Sequence, residues 1–356
     1  MHKRLFIPGP VEVRNDVLEK MSTPMIGHRS KDASNLQRSI SEKMQKLMYT
    51  ENAILLSTSS GSGLMEGAVR SCTTKRAAVF SIGAFGDRWY KMAVANGVPA
   101  DKISSELGSP TTPQMVDEAL ATGKYDLITI THNETATGVT NPTDEIAEVM
   151  KKYPDVVWCL DAVSSLGGTK IEVDKLGVDI CIASTQKCLG LPPGMAVCSF
   201  SPKAIEASKK VPNRGLYFDL LEIYEYILKK DFQYPSTPSL SHMYALDFQL
   251  DRILDEGLDN RFERHTVMAN RVREWAKQHF ELLADEKYAS NTVTCIKNTI
   301  SFDVSALNKA LGEKGCVISN GYGALKDLTF RIAHMADTSL EEINSLLADI
   351  DDILKL

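Results

Sequence analysis

Between Ala53 and Phe200 short β-rich runs alternate with stretches that suit helices. That alternation restricts the fold more than any other feature, because parallel strands need long crossovers, and helical crossovers cover a sheet on both faces. Residues 53–57, 76–82, 127–131, 156–160, 179–183 and 195–199 are the predicted strands. Several are apolar at consecutive positions, as strands buried on both faces are. Residues 63–71, 85–96, 113–121 and 143–152 are the predicted helices between them. The expectation is a large α/β domain.

Beyond Phe200 the pattern changes. Residues 219–230, 240–256 and 260–283 read as long helices, and a smaller unit follows with strands at 292–296, 299–302 and 328–334 and a helix at 304–314. Ser339, with Glu342 three residues on, forms a capping box ahead of Ile343, Leu346, Leu347, Ile350, Ile353 and Leu354 at helical spacing. The first ~30 residues are punctuated by Pro and Gly and have no evident place in the large sheet. At roughly 150 residues per domain, the 356-residue chain is expected to form about two domains.

Charge narrows the partners. Forty Lys and Arg against 46 Asp and Glu leave a net charge of −6, with no broad basic surface for nucleic acid. No run reaches the ~18 apolar residues of a membrane span, and the N-terminal apolar run is cut by Pro8-Gly9-Pro10. A cytoplasmic protein acting on small molecules is expected. The seven cysteines lack a CxxC and sit mostly in apolar runs, as buried free thiols do, and the scattered histidines suggest no metal site.

Four features carry chemistry. Ser57-Thr58-Ser59-Ser60-Gly61-Ser62-Gly63 follows a strand and opens a helix, so small residues, hydroxyls and a helix N-terminus converge as a phosphate cradle. The alternative is a flexible loop with N-cap serines; it is neither a P-loop nor GxGxxG. Asp161 ends an apolar strand, where open α/β sheets bind ligands, or else it caps the next turn. Lys187 lies between a small polar run and Pro192-Pro193-Gly194, where a desolvated amine becomes a nucleophile. Arg331, on a strand, offers a fork for a carboxylate, or makes a structural salt bridge.

Taken in order, these motifs resemble the class V aminotransferases of the fold-type I pyridoxal phosphate enzymes, most closely the alanine-glyoxylate and serine-pyruvate aminotransferase group. The resemblance runs through Phe6-Ile7-Pro8-Gly9-Pro10, Met25-Ile26-Gly27-His28, Ser60-Gly61-Ser62-Gly63, Thr131-His132-Asn133-Glu134-Thr135-Ala136-Thr137-Gly138, Asp161 to Gly168, Gln186-Lys187, Pro192-Pro193-Gly194 and Arg331. It implies a large domain with a mostly parallel seven-stranded sheet between helices, and a smaller α+β C-terminal domain. The expected division is 1–30 as a segment contributing to the active site and small domain, 31–255 as the cofactor domain and 256–356 as the small domain.

Residue by residue, the resemblance implies that Lys187 carries pyridoxal 5′-phosphate and moves the substrate proton, while Asp161 pairs with the pyridine nitrogen. Ser60, Gly61, Ser62 and Gln186 would hold the phosphate, with Thr135 at the ring edge, Val163 beneath the ring and Phe85 stacked on it. Arg331, with Pro8 and Gly9, would bind substrate. Tyr234 and Thr237 would reach the phosphate of a partner subunit, which implies a homodimer with shared sites. Two departures stand out. Ser62 occupies a position where several animal members have histidine, and the closing Leu354-Lys355-Leu356 is not Ser-Lys-Leu.

The expected reaction moves an amino group from serine or alanine to glyoxylate or pyruvate in two half-reactions. Three alternatives remain open. Aspartate or aminoethylphosphonate would be another donor on the same cofactor. A cysteine desulfurase-like lyase would need a mobile thiol near Arg331, where Cys316 is the only nearby cysteine in sequence. The last is a non-catalytic small-molecule binder.

Overall fold

Seven strands form the large sheet, in the order Ala53–Ser57, Ala196–Phe200, Ile180–Ser184, Val157–Asp161, Leu127–Thr131, Ala77–Ser81 and Ala100–Ser104. The structure, a computed structural model, describes residues 2–356. Six strands run one way; Ala196–Phe200 opposes both neighbours. Five inner strands are buried at every position, which explains their largely apolar sequences. Ala100–Ser104 was not evident in the sequence, because in this edge strand only Ala100 is buried and Asp101 and Lys102 interrupt any apolar run.

Side-chain alternation divides the core. Phe80, Ile128, Trp158 and Val197 face the layer built by the helices Lys31–Met48 and Leu240–Glu256. Their neighbours Val79, Leu127, Cys159 and Cys198 face the helices Gly61–Cys72 and Ala84–Ala95.

The smaller sheet has the order Arg4–Phe6, Cys316–Asn320, Thr329–Ala333, Val293–Lys297 and Glu281–Leu282. Helices Leu258–His279 and Leu340–Leu354 cover it by packing Trp275, Ile343 and Leu347 in one core with Phe330 of the sheet. The Ser339–Glu342 capping box forms at the start of Leu340–Leu354. Arg4–Phe6 pairs in parallel with Cys316 to Ile318, so the N-terminal segment starts in the small sheet. It then crosses to the large domain, where the Val11 N–H donates to the Gln186 carbonyl at 3.1 Å.

Two expectations fail here. Residues 299–302 do not form a strand: Ser301 has φ 55°, and the Asn298 side chain closes a turn onto Phe302, leaving Ile300 exposed. The helix expected at 260–283 ends at His279, because Phe280 turns into the core and Glu281–Leu282 joins the sheet. Among the described residues, no helix is long and apolar enough to cross a membrane.

Candidate active site

Two loops at strand ends place the titratable groups. Asp161 closes Val157–Asp161 and is 4% exposed. Its carboxylate accepts Trp89 Nε1–H at 3.1 Å and the Val163 N–H at 3.0 Å. It forms no ion pair among the described residues, and burial pushes its carboxyl upward against those two donors. A buried anion with spare acceptor capacity and no cation is costly unless a protonated ligand arrives.

Lys187 follows Ile180–Ser184 on a loop that Thr185 fastens by donating to the Pro192 carbonyl at 2.9 Å and the Met195 carbonyl at 3.0 Å. The amine is buried and donates to the Pro8 carbonyl. Burial lowers its pKa to about 8; Cys188 and Asp161 oppose the shift, whereas Arg331 adds to it. Gly9 lies against this amine. Its φ of +103° favours glycine, and a β-carbon there would stand 2.5 Å from Lys187 Nζ.

The cradle forms at the N-terminus of Gly61–Cys72. Ser60 is the N-cap, yet its hydroxyl makes no capping bond and stays free for a ligand. The Gly61 N–H donates to Ser184 Oγ at 3.2 Å, which donates to Gln186 Oε1 at 2.5 Å. A β-carbon on Gly61 would meet Val163 Cγ2 at 2.7 Å, so glycine lets two cavity walls meet.

One cavity of about 140 Å³ collects Ser60, Gly61, Ser62, Phe85, Thr135, Asp161, Val163, Gln186 and Lys187. A larger open hollow of about 540 Å³ lies by Arg14, Asp16 and Asp337. Most of its charges are already paired, with Arg14–Asp16 at 3.1 Å, Arg4–Glu342 at 2.6 Å and Asp337 held by Arg252 at 3.3 Å, which leaves little for a ligand.

Arg331 is 6% exposed and has no ion-pair partner among the described residues. Its Nε donates to the Asn320 carbonyl at 3.0 Å and Nη1 to the Thr135 carbonyl at 3.1 Å. The structural salt bridge is absent. A buried guanidinium held only by carbonyls is pre-oriented for an incoming anion.

Other residues complete the site without having stood out in the sequence. Glu134 is fully buried and accepts the N–H groups of Phe85 at 2.9 Å, Gly86 at 3.2 Å and Ala136 at 3.0 Å, so one carboxylate fixes both Phe85 and the Thr135 turn. Burial raises its pKa to about 7. Trp89 lies one turn after Phe85, and only the helical repeat signals that both face the site. Arg88 and Tyr322 gave no signal; Tyr322 comes from the loop between the small-sheet strands Cys316–Asn320 and Thr329–Ala333 and stacks on Phe85 at 5.6 Å.

Tyr234 and Thr237 are not brought to this cavity. Thr237 is exposed. Tyr234 is buried in its own chain, its hydroxyl beside Ser57, Thr58 and Tyr217 without closing a hydrogen bond. Pro8 and Gly9 meet the Lys187 amine, as described above. Cys316 packs at the margin of the small-sheet core, where burial raises its thiol pKa, and does not line the cavity.

An amine, an uncompensated carboxylate and a free-hydroxyl anion cradle around one cavity fit pyridoxal 5′-phosphate. The Aminotransferase class-V profile matches residues 13–343. An uncharacterized aminotransferase of Methanocaldococcus jannaschii is 40% identical, covering 99% of this chain and 93% of its own. The serine–glyoxylate aminotransferase of Arabidopsis thaliana is 29% identical over 99% of this chain and 90% of its own. The crystal structure of an alanine–glyoxylate aminotransferase from Nostoc sp. aligns with a TM-score of 0.93 at 26% identity, covering 99% of this chain and 96% of that one. Fold and cavity thus define a pyridoxal phosphate enzyme of fold type I. Within that class, the chain belongs to the class V aminotransferases.

Proposed function

We propose that this aminotransferase moves the amino group of a small amino acid, serine or alanine, to glyoxylate or pyruvate in two half-reactions. The observation that carries this reading is the meeting, around one cavity, of the buried Lys187 amine and the buried, unpaired Asp161 carboxylate, with the unpaired Arg331 guanidinium held at Thr135 on its wall. When bound, pyridoxal 5′-phosphate supplies an aldehyde that condenses with amines and a ring that accepts electron density.

The chain's own residues do the rest. Arg331 binds the donor's carboxylate and so aims its Cα–H bond at the amine. Lys187 Nζ takes that proton in its neutral form, which a pKa of about 8 makes available near neutrality. Asp161, held by Trp89 and the Val163 N–H, keeps a proton on the ring nitrogen. Ser60, Gly61, Ser62 and Gln186 would hold the phosphate at the helix N-terminus, with Phe85 and Val163 flanking the ring and Thr135 at its edge. Pro8 and Gly9 position the amine and border the substrate.

The division into 1–30, 31–255 and 256–356 belongs to this reading, as does a cytoplasmic homodimer in which Thr237, exposed on its own chain, serves the partner's phosphate. Tyr234 would have to turn out of its own core to do the same. The test is the donor half-reaction. The purified enzyme should show a visible band bleached by borohydride, and serine or alanine should convert that band without any acceptor present. A Lys187→Ala variant that turns over at the wild-type rate would overturn the assignment.

A further inference from the structure

Arg88 lies on the cavity wall and has no carboxylate partner among the described residues. Its guanidinium is held by two long bonds, to Ser62 Oγ and Tyr322 Oη at 3.3 Å each, and lies over the Phe85 ring at 5.0 Å. Tyr322 is shared with the other free guanidinium: Arg331 Cζ stands 5.6 Å from the same ring. Two arginines therefore flank one phenol at the junction of the large and small sheets, and neither charge is neutralised. Both also bear on the Lys187 amine, which they disfavour in its charged form.

We infer that Arg88 is a specificity-determining residue that binds the side-chain carboxylate of a dicarboxylic amino acid, such as aspartate, while Arg331 holds its α-carboxylate. Neutral hydroxyl partners at 3.3 Å are easily exchanged for a charge-assisted, bidentate carboxylate. The stack of Phe85 on Tyr322 backs Arg88 and limits where it can swing. Small donors leave Arg88 on Ser62 and Tyr322, so the site accepts both kinds. The inference rests on the aminotransferase reading above. A competing role for Arg88, toward the cofactor phosphate through Ser62, is separated by the test.

The experiment uses the holoenzyme with aspartate and alanine in the donor half-reaction, together with equilibrium binding of the unreactive succinate and propionate. Arg88→Ala should lower the kcat/KM ratio of aspartate to alanine by about 30-fold and weaken succinate about as much more than propionate, the size of one lost charge-assisted pair. Arg88→Lys should fall between, since a point charge replaces the fork. Equal losses for both donors and both acids, or loss of bound cofactor, would overturn the inference, as would a wild type that turns over alanine and ignores aspartate and succinate. If no amino acid reacts at all, the aminotransferase reading fails instead, and succinate binding still judges Arg88. Thermal midpoints identify a variant that misfolds, and Arg88→Lys then carries the comparison.

Discussion

Trp89 Nε1 donates to Asp161 Oδ2 at 3.1 Å, with the indole itself fully buried one helical turn behind Phe85. Phe85 thus lines the cavity while Trp89, behind it, orients the Asp161 carboxylate. Trp89→Phe should leave Asp161 short of a donor and raise its carboxyl pKa further. The expected outcome is about a tenfold weaker retention of pyridoxal phosphate, with about 1–3 kcal/mol of stability lost to the smaller ring. Cofactor titration by absorbance checks it; unchanged affinity would mean the bond does not serve Asp161.

Gly9 is a second contact point that no other residue can occupy. Its positive φ and the 2.5 Å approach to Lys187 Nζ mean that Gly9→Ala strains the backbone and pushes the amine away. Turnover should fall by about 100-fold or more, while far-UV circular dichroism stays native. Near-normal turnover would show that the Pro8–Gly9 segment does not position the amine.

Stability should depend on pH through Lys187. Its folded pKa of about 8 lies below the ordinary 10.5, so the unfolded chain binds the extra proton between those values. The penalty for charging the buried amine is complete below pH 8 and disappears as pH rises toward 10.5. Lys187→Met should therefore stabilise the cofactor-free protein at pH 7, by at most about 3 kcal/mol, and lose that advantage by about pH 10. Denaturant melts at both pH values decide it; an advantage that does not shrink with pH would contradict the buried-amine account.

Glu134 should set an acid limb on activity. Burial raises its pKa to about 7, so protonation below that value removes acceptor capacity from the N–H groups of Phe85, Gly86 and Ala136. Below pH 7 wild-type kcat/KM should fall more steeply than that of Glu134→Gln, which cannot titrate at this position and keeps only the limb set by Lys187. An equal slope in the two proteins would show that Glu134 does not contribute.

Much of this site was legible residue by residue. Ser60, Gly61, Asp161, Lys187 and Arg331 stand in local patterns where strand ends, small residues and rigid turns signal their use. Glu134 lay in plain view within a quoted motif, yet its role required seeing three amides from two segments converge on it. Arg88 and Tyr322 were invisible for the same reason: they are 234 residues apart, and nothing in either local context marks a site. The failed strand at 299–302 shows the limit from the other side, since Asn298 closing onto Phe302 overrides local β propensity.

The sequence by itself determined the alternation of buried strands and helices, the helix-opening cradle and the reactive side chains, because period, glycine placement and capping are local properties of the chain. Only the tertiary structure decided which charges are paired. Among the described residues Asp161, Arg331 and Arg88 lack ion pairs, whereas Arg252 and Asp337, 85 residues apart, pair at 3.3 Å, because elements distant in sequence meet there within a few ångströms. The side chains that could hold a ligand are those left without a protein counterion, and the chain settles that when its two sheets come together.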